Sequence, residues 1–201
     1  MTKGDTTMDE QALSVRDAII SRRSIKSFNG QPVEQSEIDD ILEDAIWAPN
    51  HGNRNPWRFV LAAEDNYEQF LDVLREFGVP KWKELSDEAL EKQMSKYTSA
   101  SAAMFVIVPE DARQKQRLED FAAASTMIQN IQLLAWDKGI GTCWKTPGFL
   151  DDPKFRVALG VQPGERIISM LQFGHFDELP KTKPRTPVED IVTYWQAEPT
   201  E

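Results

Sequence analysis

Residues 117–138 constrain this chain more than any other stretch. Phe121, Ala122, Ala123 and Ala124, then Met127, Ile128, Ile131, Leu133, Leu134, Ala135 and Trp136, leave a helix of this length almost no polar flank. Such a helix has to be enclosed, either by the rest of its own domain or by a subunit interface. The chain has 201 residues, enough for one domain with a sizeable core around it. Gly139 and Gly141 are read as its end, leading into a short strand at 142–144.

Two other apolar runs, 103–108 and 167–173, have the length and composition of strands buried on both faces, and a further strand spans 57–62. Helices fall between them without strict alternation. Ser14 caps one that ends at Arg22-Arg23-Ser24, and Ser36 is read as the cap of a second, whose Ile38, Ile41, Leu42, Ala45 and Ile46 make the clearest amphipathic stripe. A third covers 66–77 and breaks at Gly78-Val79-Pro80, and Asp152-Pro153 opens a short one that closes at Gly160. Residues 81–101 are charged, with Trp82, Leu85, Leu90, Met94 and Tyr97 spaced along them. They read as a mobile helical excursion, either a surface helix or a lid over a pocket.

These elements predict an α+β fold with one sheet covered by helices. A single domain is expected over 13–196, with 1–12 flexible, 79–101 a variable helical excursion and 177–196 a C-terminal arm. That arm is punctuated by Pro180, Pro184 and Pro187 and carries Ile191, Val192, Tyr194 and Trp195. With no helix of its own it must bury them elsewhere, as on a neighbouring subunit. No glycine-rich turn of the dinucleotide or phosphate-loop kind occurs, so a doubly wound nucleotide fold is not expected.

The formal charge of -10 argues against nucleic acid as a partner, since phosphate neutralisation needs a basic face. No apolar run approaches the roughly 20 residues of a membrane helix. The polar start of the chain and the single cysteine, Cys143, fit a cytoplasmic protein. One Cys and two His, far apart, do not make a zinc site, and Ser24 has no His-Asp partner nearby for a hydrolytic triad. Asp151-Asp152 reads as a helix cap before Pro153, and Cys143 as a buried structural thiol.

Against this acidic background, two stretches carry cations and no carboxylate: 21–33 with Arg22, Arg23 and Lys26, and 179–188 with Lys181, Lys183 and Arg185. Taken singly each is a solvated patch or an anion contact. The third feature is the loop Pro49-Asn50-His51-Gly52-Asn53-Arg54-Asn55-Pro56. Its prolines fix the backbone at both ends, Gly52 permits a left-handed turn, and nearly every side chain between them hydrogen-bonds.

Arg22-Arg23-Ser24 with Lys26, the loop from Pro49 to Trp57, Gly139 and Gly141 before Trp144-Lys145-Thr146, and Lys183 with Arg185 occur in the order and spacing of the FMN-dependent nitroreductase family. The chain resembles its small bacterial members over residues 14–195. The resemblance implies a nitroreductase-like fold with a central, mostly antiparallel sheet and a homodimer with FMN at the interface. It also implies a C-terminal arm exchanged with the partner subunit. It further implies that Arg22, Arg23 and Ser24 meet the FMN phosphate and ribityl chain, and that Lys183 and Arg185 clamp the phosphate. Lys26 would lie at the N1/O2 edge, His51 and Asn53 would reach the flavin from the other subunit, and Trp144, Lys145 and Thr146 would pass its N5 or dimethylbenzene side. NADH or NADPH would be the electron donor and a small electron-poor molecule, such as a nitro compound or quinone, the acceptor. No side chain is expected to act as a nucleophile or general base. The rival readings are another flavin chemistry on this fold (dehalogenation or dehydrogenation), a non-catalytic FMN-binding sensor dimer, and a colourless protein-interaction module.

Overall fold

The computed structural model describes residues 12–196; the expectation of flexibility for 1–12 therefore lies almost wholly outside the described residues. Six helices and four strands follow in the order α1 (Val15–Ser21), α2 (Gln35–Ala45), β1 (Arg58–Ala63), α3 (Glu64–Gly78), α4 (Asp87–Thr98), β2 (Ala102–Pro109), α5 (Gln114–Asp137), β3 (Gly141–Lys145), α6 (Pro153–Ala158) and β4 (Glu165–Gly174). The strands form one antiparallel sheet in the order β1-β2-β4-β3, which puts β2 and β4 at its centre and β1 and β3 at its edges. The architecture is α+β, as the element pattern predicts.

The central strands are apolar without a break because both faces of the sheet are covered. Along β2 successive side chains alternate. Met104, Val106 and Val108 pack with Ile38 and Ile41 of α2 and Met127, Ile128 and Ile131 of α5. Ala103, Phe105 and Ile107 pack with Leu74 of α3, Met94 and Tyr97 of α4 and Phe155 of α6. Phe155 is the hub of that second layer, meeting Phe77, Phe105 and Phe149 edge to face at ring separations of 5.3, 5.5 and 4.8 Å. A register shift between Val106 and Ile107 skips one residue of β4, so Ile168 and Leu171 lie on the same face although three apart.

Helix α5 is enclosed on one side rather than all round. Ala123, Ala124, Met127, Ile128, Ile131 and Ala135 face the sheet, while Leu118 and Phe121 stay exposed on the single chain. The expected Ser36 cap of α2 is displaced by two residues. Glu34 is the cap, in a reciprocal arrangement with Glu37, whose Oε2 accepts from the Glu34 N–H at 3.0 Å, so the helix starts ahead of Ser36. The Ser14 and Asp152 caps stand as read, Ser14 Oγ accepting from Asp17 N at 3.1 Å and Asp152 Oδ1 from Lys154 N at 2.8 Å. Within 79–101, α4 lays Met94 and Tyr97 into the second core layer, and Tyr67 of α3 donates its hydroxyl to the Tyr97 carbonyl at 2.8 Å.

Candidate functional site

The end of α1 is brought to the sheet edge by backbone pairing. Ser24 bridges Thr142 of β3 in parallel, Ile25 N donates to Thr142 O at 2.9 Å, and further on Asn29 N donates to His175 O at 2.9 Å. Gly141 makes that approach possible. A Cβ there would come within 2.8 Å of Ile25 Cγ1 and 2.7 Å of Phe176 Cδ1, so its role is close packing, whereas Gly139, with φ of +71°, makes the turn that ends α5. Trp136 then locks the corner, stacking on Phe176 at 5.4 Å and donating its indole N–H to Ser21 Oγ at 2.8 Å.

Segment 178–185 of the arm returns over this corner and borders an open cavity of about 990 Å³. Six of the sequence-predicted residues line it together: Arg22, Arg23, Ser24, Lys26, Lys183 and Arg185. Lys181 and Thr182 join them, as does Glu178, an acid one residue outside the carboxylate-free stretch. The two basic patches, about 160 residues apart in the chain, thus face one space.

Their charges are not neutralised from within. Nε and Nη1 of Arg22 are buried with no hydrogen-bond partner among the described residues. Burial lowers the pKa of this guanidinium, and the neighbouring cations Arg23 and Arg185 add to the effect. Arg23 is differently employed: Nη1 donates to the carbonyls of Ile20, Ser21 and Arg22 at 2.7, 2.9 and 2.9 Å, and Nη2 to Thr182 Oγ1 at 2.8 Å. It closes the C-terminus of α1 and pins the arm, leaving Arg22 free to face the cavity. Buried, unpartnered guanidinium donors beside further cations are what a phosphate monoester needs, so the residues present fit the phosphate end of FMN.

Lys145 lies at the end of β3, on the same face as Cys143. Burial lowers its pKa, the Cys143 sulfur works the other way, and Lys96 and Lys26 lower it further. Burial raises the Cys143 thiol above its ordinary value, with Lys145 and Lys26 opposing. Trp144 turns to the opposite face, against the α5 layer, and Thr146 is exposed just past the strand.

His51 and Asn53 are not part of this cavity. They sit on a single 3-10 turn, His51–Asn53, exposed and packed beside α5, with left-handed φ at Gly52 (+66°), Asn53 (+51°) and Asn55 (+45°). Asn residues tolerate that region better than other side chains, which is the reason for the composition of the turn. Asn50 closes it, accepting from Asn55 N at 2.9 Å and donating to Ala48 O at 3.3 Å. Neither the His51 imidazole nor the Asn53 side-chain amide is used in these bonds.

What the sequence reading missed is the anchor of that turn. Arg54 Nη2 meets Asp120 Oδ2 at 2.8 Å and Asp111 Oδ2 at 3.3 Å, and Arg113 Nη2 holds Asp111 Oδ2 at 2.8 Å. Asp111 is held well below the usual carboxylate range, first by its side-chain bond to Arg113, then by the Arg113 N–H and by Arg54. A signal existed: Asp120 is the one acid in the run 120–136, on the face that Ala123, Ala124 and Met127 bury. A carboxylate there has to find a cation.

The sequence model described as the nitroreductase family matches residues 19–175. YfhC of Bacillus subtilis, described as a candidate NAD(P)H nitroreductase, is 38% identical over 180 residues, covering 89% of this chain and 93% of its own. Among solved structures, a nitroreductase-like family protein from Bacillus cereus superposes with a TM-score of 0.81 at 33% identity, over 93% of this chain and 98% of that one. A Sphigopyxis protein described as the FMN and NADPH-dependent nitroreductase NfnB shares the fold, with a TM-score of 0.71 at 20% identity over 92% of this chain and all of its own length.

Proposed function

Because this chain belongs to the nitroreductase family, we propose that it is a flavoenzyme which binds FMN between two subunits and uses NADH or NADPH to reduce small electron-poor acceptors such as nitro compounds and quinones. The observation that carries this reading is the pair of buried, unpartnered Arg22 nitrogens in a cavity shared with Lys183 and Arg185. An uncompensated cationic cavity asks for an anion, and one phosphate accounts for both basic patches at once.

In this reading Arg22, Lys183 and Arg185 hold the phosphate and Ser24 donates to the ribityl end. Arg23 keeps the arm in place through Thr182. Lys26 would supply positive charge at the N1/O2 edge, and Lys145, with Thr146 and the backbone of Trp144, whose indole packs against the α5 layer, would border the ring from the end of β3. When bound, FMN supplies hydride chemistry at N5 between the nicotinamide and the acceptor. The chain itself contributes orientation, exclusion of water and fixed charge, and no nucleophile or general base is required of it. His51 and Asn53, too far along the molecule to line this subunit's cavity, serve the partner's flavin, and their unused side chains are consistent with that.

Dimerisation also accounts for the apolar surface left over. Trp47 and Trp195 are each 86% exposed on the single chain, and Ile191 and Tyr194 of the arm are exposed as well. Covering them with a second copy and its exchanged arm removes a cost that a monomer would carry in water. No helix among the described residues is long and apolar enough to cross a membrane. The lone cysteine fits a reducing cytoplasm.

The test is direct. The concentrated protein is expected to be yellow or to take up FMN. NADH or NADPH without oxygen is expected to bleach the flavin band near about 450 nm, and a nitroaromatic or quinone to restore it. A colourless protein that does not bind added FMN overturns the reading; a yellow one that neither donor bleaches makes it a binding dimer rather than an enzyme.

A further inference from the structure

We propose that Arg54 is a positioning residue for the flavin reaction, acting through the His51–Asn53 turn by an ion pair to the buried Asp120; the proposal rests on the reading that this turn serves the partner's flavin. The turn has little to hold it locally. Its own bonds, from Asn53 N to Asn50 O at 3.3 Å, from Asn55 N to Asn50 Oδ1 at 2.9 Å and from Asn50 Nδ2 to Ala48 O at 3.3 Å, tie the turn to itself and to the residues just before it, not to the core. Three of its backbone positions are left-handed, and a strained turn persists only where its surroundings over-determine it.

Arg54 supplies that determination. It lies between the two left-handed asparagines and reaches 66 residues along the chain to Asp120, at 2.8 Å, and 57 residues to Asp111, at 3.3 Å. Asp120 is 2% exposed and is built into the sheet-facing side of α5, so its carboxylate cannot move without moving the core helix. Asp111 is gripped in turn by Arg113, through Nε at 3.1 Å, Nη2 at 2.8 Å and the backbone N–H at 2.9 Å, while Arg117 Nη1 holds the Asp111 carbonyl at 2.9 Å. The placement of His51 and Asn53 is therefore referred to α5, the long helix packed on the sheet. A plain connection from α2 to β1 would need no buried carboxylate. Two residues offered to a second subunit's cofactor do need a fixed reference, because binding geometry off by about 1 Å can cost about a hundredfold in rate.

The experiment uses the FMN-loaded dimer. The double variant Arg54→Gln with Asp120→Asn keeps side chains of similar size and leaves no unpaired buried charge. It is expected to fold, to keep its flavin through the untouched Arg22 and Arg185 cavity, and to show an altered visible circular dichroism of the flavin. Its anaerobic bleaching by NADH or NADPH is expected to slow by about 10- to 100-fold. A purely structural role would lower Tm and leave rate and spectrum as in the unmodified protein; that result in a folded, yellow double variant overturns the inference alone. Should the double variant not fold, Arg54→Lys decides, since its ammonium ends one atom short of the guanidinium nitrogen that meets both carboxylates and lacks the rigid planar fork: slower bleaching at unchanged flavin content supports the proposal, and an unchanged rate overturns it. If the unmodified protein takes up no FMN, the functional reading falls and takes this inference with it.

Discussion

Arg22 and Arg54 each carry a guanidinium into a partly enclosed place, but Arg22 meets Arg23 and Arg185 whereas Arg54 meets Asp111 and Asp120. The first cluster has excess charge and open donors; the second is internally neutralised and hydrogen-bonded. The same residue type is thus left with open donors in one place, where the proposed function puts a ligand, and made scaffold in the other, and what separates them is whether the protein supplies the counter-charge. A cluster left uncompensated and half-buried is costly to the apo fold and is worth keeping only if something else completes it. A compensated one fixes geometry.

The comparison breaks most sharply at the cavity. Arg22→Ala or Arg185→Ala is expected to cost the flavin a charge-assisted hydrogen bond of about 1.5–3 kcal/mol, which weakens FMN binding roughly 10- to 150-fold. Most of the colour should be gone from the purified variant, as read by the ratio of flavin to protein absorbance; full flavin stoichiometry in either variant would count against the phosphate assignment. A smaller effect separates the clusters by salt. Raising ionic strength from about 0.05 to about 0.5 M should weaken FMN binding several-fold, because the cavity is open to water, while screening the Arg54–Asp120 contact less, since Asp120 is buried. Fluorescence titration of FMN alongside Tm at each salt concentration tests this, and a Tm that falls in step with affinity would erase the distinction.

The paired cluster has its own signature in acid. Since the folded-state pKa of Asp111 is depressed, its contribution to stability is complete above the unfolded value of about 3.9 and is lost as pH falls through the lower folded value. Glu165, held down first by its bond to Arg58, adds to the same limb. Asp111→Asn should therefore lower Tm at neutral pH, where the contribution is complete, and flatten the fall of Tm below about pH 4; an acid limb identical to that of the unmodified protein would contradict it. The smallest expected effect is at Cys143. Burial raises its thiol pKa, so alkylation at neutral pH should be slow, and rapid labelling by iodoacetamide would show that Lys145 and Lys26 outweigh burial.

Much of this organisation is legible in the chain. Apolar runs at 103–108 and 167–173 are the central strands β2 and β4, because strands covered on both faces have no polar side to give. The stripe of Ile38, Ile41 and Ala45 is the buried face of α2. Where the reading slipped, long-range or reciprocal contacts decided. Ser36 has the composition of a cap, but the reciprocal bonds of Glu34 and Glu37 win. Gly141 has the composition of a helix stop, but it is glycine because Ile25 and Phe176 press on it from distant segments. Arg54 looked like one more polar loop residue, since nothing in its neighbourhood announces Asp111 and Asp120.

By itself the sequence determined the element types, the two acid-free basic patches and the turn chemistry of residues 49–56, because periodicity, composition and φ preference are local properties of the chain. Only the tertiary structure decided that Arg22 and Arg185 face one cavity and that Arg54 is neutralised while Arg22 is not. Counter-charges come from whichever segments folding brings together, and no local pattern encodes which of two identical guanidinium groups will find a carboxylate.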